Sequence, residues 1–408
     1  MQLLRDIVDF LRKKEPMTLR KIVWCAFAAF RNSSRFCQSP FTKTAVPLGA
    51  ILFVISPVRA IDIADNFTYA GTNGWAASRA LATNYDDYPV FEAVGVLNIV
   101  MGQLESTGSA TLLNNEWVLT AGHNWNTNTL TSLQFILHGV EYEADMNSLY
   151  QHPLWISPPS PLSPAEADVS QGWDIALFRL SAPITNTIAF PELYTKSDEF
   201  GKVGITLGGG WQGTGTEPWQ PQTNSPLLIY AAANIIDRVT HQSNSGHTGG
   251  FLVADFDGES DPDQNTLGQT YATNDSPWLW NSDSQVVSSL DPVGDIVGTN
   301  SSGSQYVDEF DNILEGGTAP GDSGGPTFIF DNGAWKLAGV TSWGVNPWDT
   351  LTNGGGDQGL YGDVSYFTRV SEHTDWIYSV IPEPSAALLT LYGLSASLLV
   401  FRCFRRSK

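Results

Sequence analysis

The chain has 408 residues, 42% of them hydrophobic and 12% aromatic, which is ample apolar mass for one large domain or two ordinary ones. Its formal charge is −21, and residues 61–381 alone carry 38 Asp and Glu against seven Lys and Arg, so the body offers no basic surface to nucleic acid or anionic membranes. All three cysteines, Cys25, Cys37 and Cys403, lie outside that body, which excludes an internal disulfide there.

Residues 1–43 are basic and run into "AVPLGAILFVISPVRA", an apolar stretch ending in Val58-Arg59-Ala60. Basic, then apolar, then small is the order of an export signal cleaved after Ala60, giving a 1–60 signal segment and a 61–87 N-terminal extension. A signal anchor that stays attached, or translation from Met17, fits the same pattern.

From about Tyr88 to Val370 come short β-rich runs: "GVLNIV", "EWVLTA", "LQFILHGVEYEA", "DIALFRL", "LLIYAAANII", "GPTFIFD" and "WKLAGVTSWG". Clusters of Gly, Asn, Pro and Ser separate them, and the first long helical pattern is "SEHTDWIYSVI" near the end. The pattern predicts an all-β sandwich or pair of barrels closed by one helix, with no internal repeat.

Three places in this body can carry chemistry. His123 follows a strand-like run, "WVLTAGH", where a lone histidine is more often structural. Asp174 precedes the apolar run "IALFRL", where aspartate is usually a turn or cap residue. Ser323 sits in "GGTAPGDSGGP", whose glycines let successive N–H groups converge on one spot, as an oxyanion requires. A serine hydroxyl needs an imidazole to accept its proton, and the imidazole needs a carboxylate to fix its tautomer. His123, Asp174 and Ser323 supply those three groups.

On "GSATLLNNEWVLTAGH", "DIALFRL", "GDSGGP", "VTSWG" and "YFTRVSEHTDWI", in that order, residues 88–380 resemble the trypsin/chymotrypsin-like serine peptidases. The resemblance implies two six-stranded antiparallel β-barrels with a C-terminal helix, and an endopeptidase acting through an acyl-enzyme. His123 would be the general base, Asp174 its orienter and Ser323 the nucleophile. The N–H groups of Gly321 and Ser323 would form the oxyanion hole. Ser342, Trp343 and Gly344 would bind substrate, with Gly317 as the floor of the specificity pocket and Ser365 near its wall. Gly317 replaces the aspartate that selects basic residues, so an open, uncharged pocket is expected unless Asp349, Asp357 or Asp363 reaches it.

The sequence departs from the family at Asn124 and Ala319, where the family has cysteines. Asp322 is the residue that, in the family, pairs with a new N-terminal ammonium. No "R-I-V-G-G" precedes the body, so signal cleavage exposing Ile61 is the expected activating cut, with cleavage after Arg79 as its competitor. The long Asp174 to Ser323 gap implies an insert at about 208–311, where Asp255, Asp257, Glu259, Asp261 and Asp263 form a candidate calcium site or a solvated acidic loop. No cofactor is required for the chemistry; calcium is a possible structural ion.

The end, "IPEPSAALLTLYGLSASLLVFRCFRRSK", joins Pro382-Glu383-Pro384 to an apolar run and an Arg-rich tip. It resembles the PEP-CTERM sorting signal, which implies a transmembrane helix within 381–408, export to the surface of a Gram-negative-type bacterium, and processing by an exosortase-type enzyme. Protein or peptide substrates, a signal peptidase and that enzyme are the expected partners; nucleic acid is not. The rival function is a non-catalytic exported surface or matrix-binding protein on the same fold.

Overall fold

The computed structural model describes residues 61–155, 172–220, 227–239, 242–244, 247–258, 305–345 and 359–381. The signal segment, the sorting tail, Glu259, Asp261, Asp263, Asp349 and Asp357 lie outside the described residues. No described helix is long and apolar enough to cross a membrane.

Six antiparallel strands close into a barrel in the order Val94–Met101, Leu104–Leu112, Trp117–Thr120, Ala176–Leu180, Val140–Gln151 and Leu130–Leu137. Alternation builds it: Leu133, Phe135 and Leu137 turn inward from the last of these strands while their neighbours stay partly exposed. They meet Leu97, Ile99, Leu112, Val118, Trp125 and Phe178 in the barrel interior.

The second β body differs from the expected closed barrel. Its ladder runs as an open path, Tyr230–Ile235, Val203–Gly208, Pro326–Asp331, Ala334–Val345, Val364–Arg369, Phe251–Asp255 and Arg238–Val239. The two end strands are neighbours in sequence, interrupted at Ile236 and Asp237. There the backbone bends and changes partners: Ile236 N donates to Lys202 O at 2.9 Å and Asp237 N to Val253 O at 2.9 Å. A strand that bends to serve two neighbours turns the corner without a continuous ladder. Within the expected 208–311 insert, the strands Tyr230–Ile235, Arg238–Val239 and Phe251–Asp255 belong to this sheet, while Gln242–Asn244 and His247–Gly249 pair only with each other. The longest run between consecutive described strands is from Asp255 to Gly316.

The segment after residue 60 is built into the body. Asp62–Ile63 is an inner strand of a small sheet ordered Glu217–Gln220, Gln212–Thr214, Asp62–Ile63, Gly316–Gly317. Helix α1, Gly74–Ala82, buries Ala77 and Leu81, and its Ser78 Oγ donates to Ala231 O at 2.7 Å. Arg79 lies within this helix with its guanidinium on Ile229 O, so the competing cut after Arg79 would have to open packed helix.

The closing helix α2, Thr374–Val380, forms where its pattern predicts. Just before it, Arg369 and Glu199, both fully buried, share two bonds of 2.9 and 2.7 Å, and Ser371 Oγ donates to Glu199 at 2.7 Å.

Candidate active site

His123 and Asp174 meet because of strand register. Trp117–Thr120 pairs antiparallel with Ala176–Leu180, Thr120 opposite Ala176. The residues just beyond one strand and just before the other therefore emerge at the same sheet end. A short 3-10 turn, Gly122–Asn124, carries His123 toward the carboxylate. Its Nδ1 lies 2.6 Å from Asp174 Oδ2, and its backbone N–H donates to Oδ1 at 2.7 Å. Ser342 Oγ also donates to Oδ2 at 2.6 Å, and Thr368 Oγ1 to the Asp174 carbonyl at 3.0 Å. The carboxylate is fully buried and held by three donors, one on Oδ1 and two on Oδ2.

This arrangement fixes the imidazole. With Nδ1–H held by Asp174, the neutral ring leaves Nε2 as its acceptor. Burial pulls the His123 pKa down, but the Asp174 charge and hydrogen bond outweigh it, leaving it above the ordinary histidine value.

The Ser323 loop is stitched to the first barrel by its backbone. The Ser323 carbonyl accepts from Ser109 N at 2.8 Å and from Asn124 Nδ2 at 2.9 Å; Asn124 Nδ2 also donates to Thr120 Oγ1 at 2.7 Å. Gly324 has φ of +86°, and a Cβ there would collide with Thr120 Oγ1 and the Ser109 carbonyl, so this position tolerates glycine alone. Among the described residues, the N–H groups of Gly321 and Ser323 have no acceptor. Asn124, at a position where a cysteine was expected, thus braces the loop by hydrogen bonds. Ala319, the other such position, donates its N–H to Asp322 Oδ2 at 2.8 Å.

Asp322 is fully buried and also accepts from Gly210 N at 2.9 Å and from Ile61 N at 3.0 Å. Burial pushes its pKa up to about 7 against the pull of those three N–H bonds. Ile61 is itself fully buried and has φ of +61°, an outlier for a β-branched residue that costs about 1–3 kcal/mol.

Beside Ser323 lies a cavity of about 230 Å³ lined by Trp219, Thr318, Pro320, Trp343 and Gly344 among others. Thr318 N and Oγ1 both donate to Ser365 Oγ, at 3.1 and 3.0 Å. Gly317 lies behind them, and a Cβ there would sit 3.6 Å from Phe256 and Ser365. Asp363 does not enter: its Oδ2 accepts from Gly359 N and Leu360 N at 2.7 and 3.0 Å. Sequence reasoning did not reach Trp219, and at Asn124 it saw only a missing cysteine, not the hydrogen bonds that replace it. Trp219 is an isolated aromatic within "EPWQP", and only the sheet containing Asp62–Ile63 gives it a role.

No group of three or more His, Cys, Asp or Glu among the described residues is arranged to hold a metal ion. Asp255 and Asp257 are buried against Asp237 and Glu315 rather than sitting in a solvated loop. Burial and the Asp255 charge push Asp257 up to about 9.

No family model matches the chain. Over 67 residues it is 43% identical to vitamin K-dependent protein C of Oryctolagus cuniculus, covering 16% of this chain and 12% of that protein. Over 93 residues it is 33% identical to the kallikrein-like enzyme LV-Ka of Lachesis muta muta, covering 22% of this chain and 41% of that enzyme. The chain is similar to trypsin-like serine proteases. It spans less than half the length of these relatives. A solved structure of mouse neuropsin, described as a serine protease, covers 72% of this chain and 96% of its own at 18% identity and a TM-score of 0.38. The strand order bears out a mostly β fold with few helices and one closed six-stranded barrel; of the two barrels expected, the second is an open sheet.

Proposed function

We propose that the chain is a serine endopeptidase in which Ser323 attacks the peptide carbonyl, His123 takes and returns the proton, and Asp174 orients the imidazole. The 2.6 Å bond from His123 to a buried Asp174 that accepts three hydrogen bonds, beside a loop whose two N–H groups have no acceptor among the described residues, carries this reading. Ser323 Oγ is not hydrogen-bonded to His123 here, and such contacts commonly tighten only with substrate bound. The Gly321 and Ser323 N–H groups would hold the tetrahedral oxyanion, where one donor is worth about 100-fold to 1000-fold in rate. A fluorophosphonate probe tests the reading: labelling of the full chain from an exporting host, lost in Ser323→Ala, supports it. Correctly processed protein that takes no label is a binding protein instead.

Activation follows from the same geometry. Cleavage after Ala60 would make Ile61 N an ammonium beside Asp322, and it would abolish the strained torsion, because φ of a first residue does not exist. The proposed cut is made by a signal peptidase during export, with the tail then handled by an exosortase-type enzyme. N-terminal sequencing of active protein that does not begin at Ile61 rejects this step.

A further inference from the structure

The segment 61–63 touches a wall of the cavity beside Ser323 as well as Asp322. Asp62 follows Ile61 and is buried. Its Oδ2 accepts the indole N–H of Trp219, the residue that forms a wall of the cavity beside Ser323. The Asp62–Ile63 strand lies between its two neighbours, Gly213 and Thr214 pairing parallel on one side and Gly316 and Gly317 antiparallel on the other. One side leads through the turn at Gly215 to the Glu217–Gln220 strand that carries Trp219; the other leads directly into Thr318, also in the cavity lining.

Two glycines enclose the pair. A Cβ on Gly359, at φ +74°, would collide with the indole nitrogen and the Asp62 carboxylate. A Cβ on Gly213 would come within 2.5 Å of Asp62 Oδ1 and 3.0 Å of the Trp219 ring. A side chain at either position would meet the pair and force it to shift.

We propose that Trp219 is a specificity-determining residue, limiting the side chain accepted before the scissile bond, and that Asp62 is the positioning residue that holds it. Seating the 61–63 segment therefore shapes the substrate pocket at the same time as it engages Asp322. This rests on the serine-peptidase reading above.

The test is a peptide series varying only the residue before the scissile bond, run beside fluorophosphonate labelling of Ser323. Among molecules that take the label, Trp219→Ala is expected to shift the kcat/KM ratio of large aromatic over small apolar residues by at least about 10-fold toward the large ones. Asp62→Ala shifts it in the same direction, and Trp219→Phe, which keeps an aromatic ring without the donor, behaves like Asp62→Ala. Asp62→Asn, which keeps an acceptor oxygen, restores the wild-type ranking. Labelled Trp219→Ala or Trp219→Phe protein with the wild-type ratio overturns the inference while leaving the peptidase reading intact. Wild-type protein that takes no label overturns the peptidase reading itself.

Discussion

The two β bodies are held together by different means. The closed barrel buries almost only apolar side chains, such as Leu97, Phe135 and Phe178, and its polar interior groups are few. The second body and the small sheet attached to it bury Asp62, Asp237, Asp255, Asp257, Glu315 and Asp322, with Arg369 and Glu199 as an ion pair. Apolar packing is indifferent to pH, whereas buried carboxyl groups are not. The first body is a fixed platform for His123 and Asp174. The second, which carries Ser323 and the substrate cavity, is the conditional half.

The largest effect expected is on the platform's contribution to chemistry. Asp174→Asn should leave the barrel folded and drop kcat about 10⁴-fold, because the imidazole loses the acceptor that fixes its tautomer. In the wild type the raised His123 pKa sets the acid limb of kcat/KM. The base form is required, so activity should rise with pH through a midpoint above about 6.5. A midpoint below that value would mean the carboxylate is not acting on the ring.

Next comes a test of the second body's ion pair. Glu199→Gln takes the bidentate carboxylate from buried Arg369 and leaves Glu372 as its anionic partner, and unfolding experiments should show a loss of about 3 kcal/mol. An exposed pair such as Arg179 with Glu116 should matter by less than about 1 kcal/mol.

The pH dependence of stability separates the two bodies more finely. Asp62, Asp237, Asp257, Glu315 and Asp322 all have folded-state pKa values raised by burial. A raised carboxyl binds more protons folded than unfolded, so its contribution is full below about pH 4 and is lost as pH rises through the folded value. For Asp322 that loss ends near pH 7 and for Asp257 near pH 9. The uncleaved chain should therefore show a Tm that falls from about pH 4 to pH 9. Asp257→Asn should flatten the upper part of that fall. Cleavage after Ala60 should raise Tm more at pH 8 than at pH 5, since an ammonium beside Asp322 favours the charged carboxylate.

The same contrast explains what could be read in the sequence. Alternating strands and short motifs are local patterns, so the first barrel, helix α2 and the residues His123 and Asp174 that the structure brings together were legible. The open ladder was not, because a bend at Ile236 and Asp237 leaves no compositional mark. Nor was Trp219, whose role depends on a strand 157 residues away. The acids at 255 and 257 looked like a solvated loop or a calcium site because charge content carries no information on burial.

Asn124 joins the two bodies, and its removal is the smallest and most discriminating change. Its Nδ2 bridges Thr120 Oγ1 and the Ser323 carbonyl, and Gly108 has no side chain where a Cβ would come within 2.8 Å of it. Asn124→Ala takes one donor from the buried Thr120 hydroxyl, which keeps its own bond to the Ser109 carbonyl, and one from the Ser323 carbonyl, which Ser109 N still holds. The expected loss is about 1–3 kcal/mol of stability by chemical denaturation. Because the brace acts on the Ser323 carbonyl and not on the Trp219 wall of the cavity, labelling of Ser323 should slow by about 10-fold while the preference among peptides stays as in the wild type. Changed preference with unchanged labelling would assign Asn124 to the cavity, and with it the view that two separate supports hold the nucleophile and the substrate wall would fail.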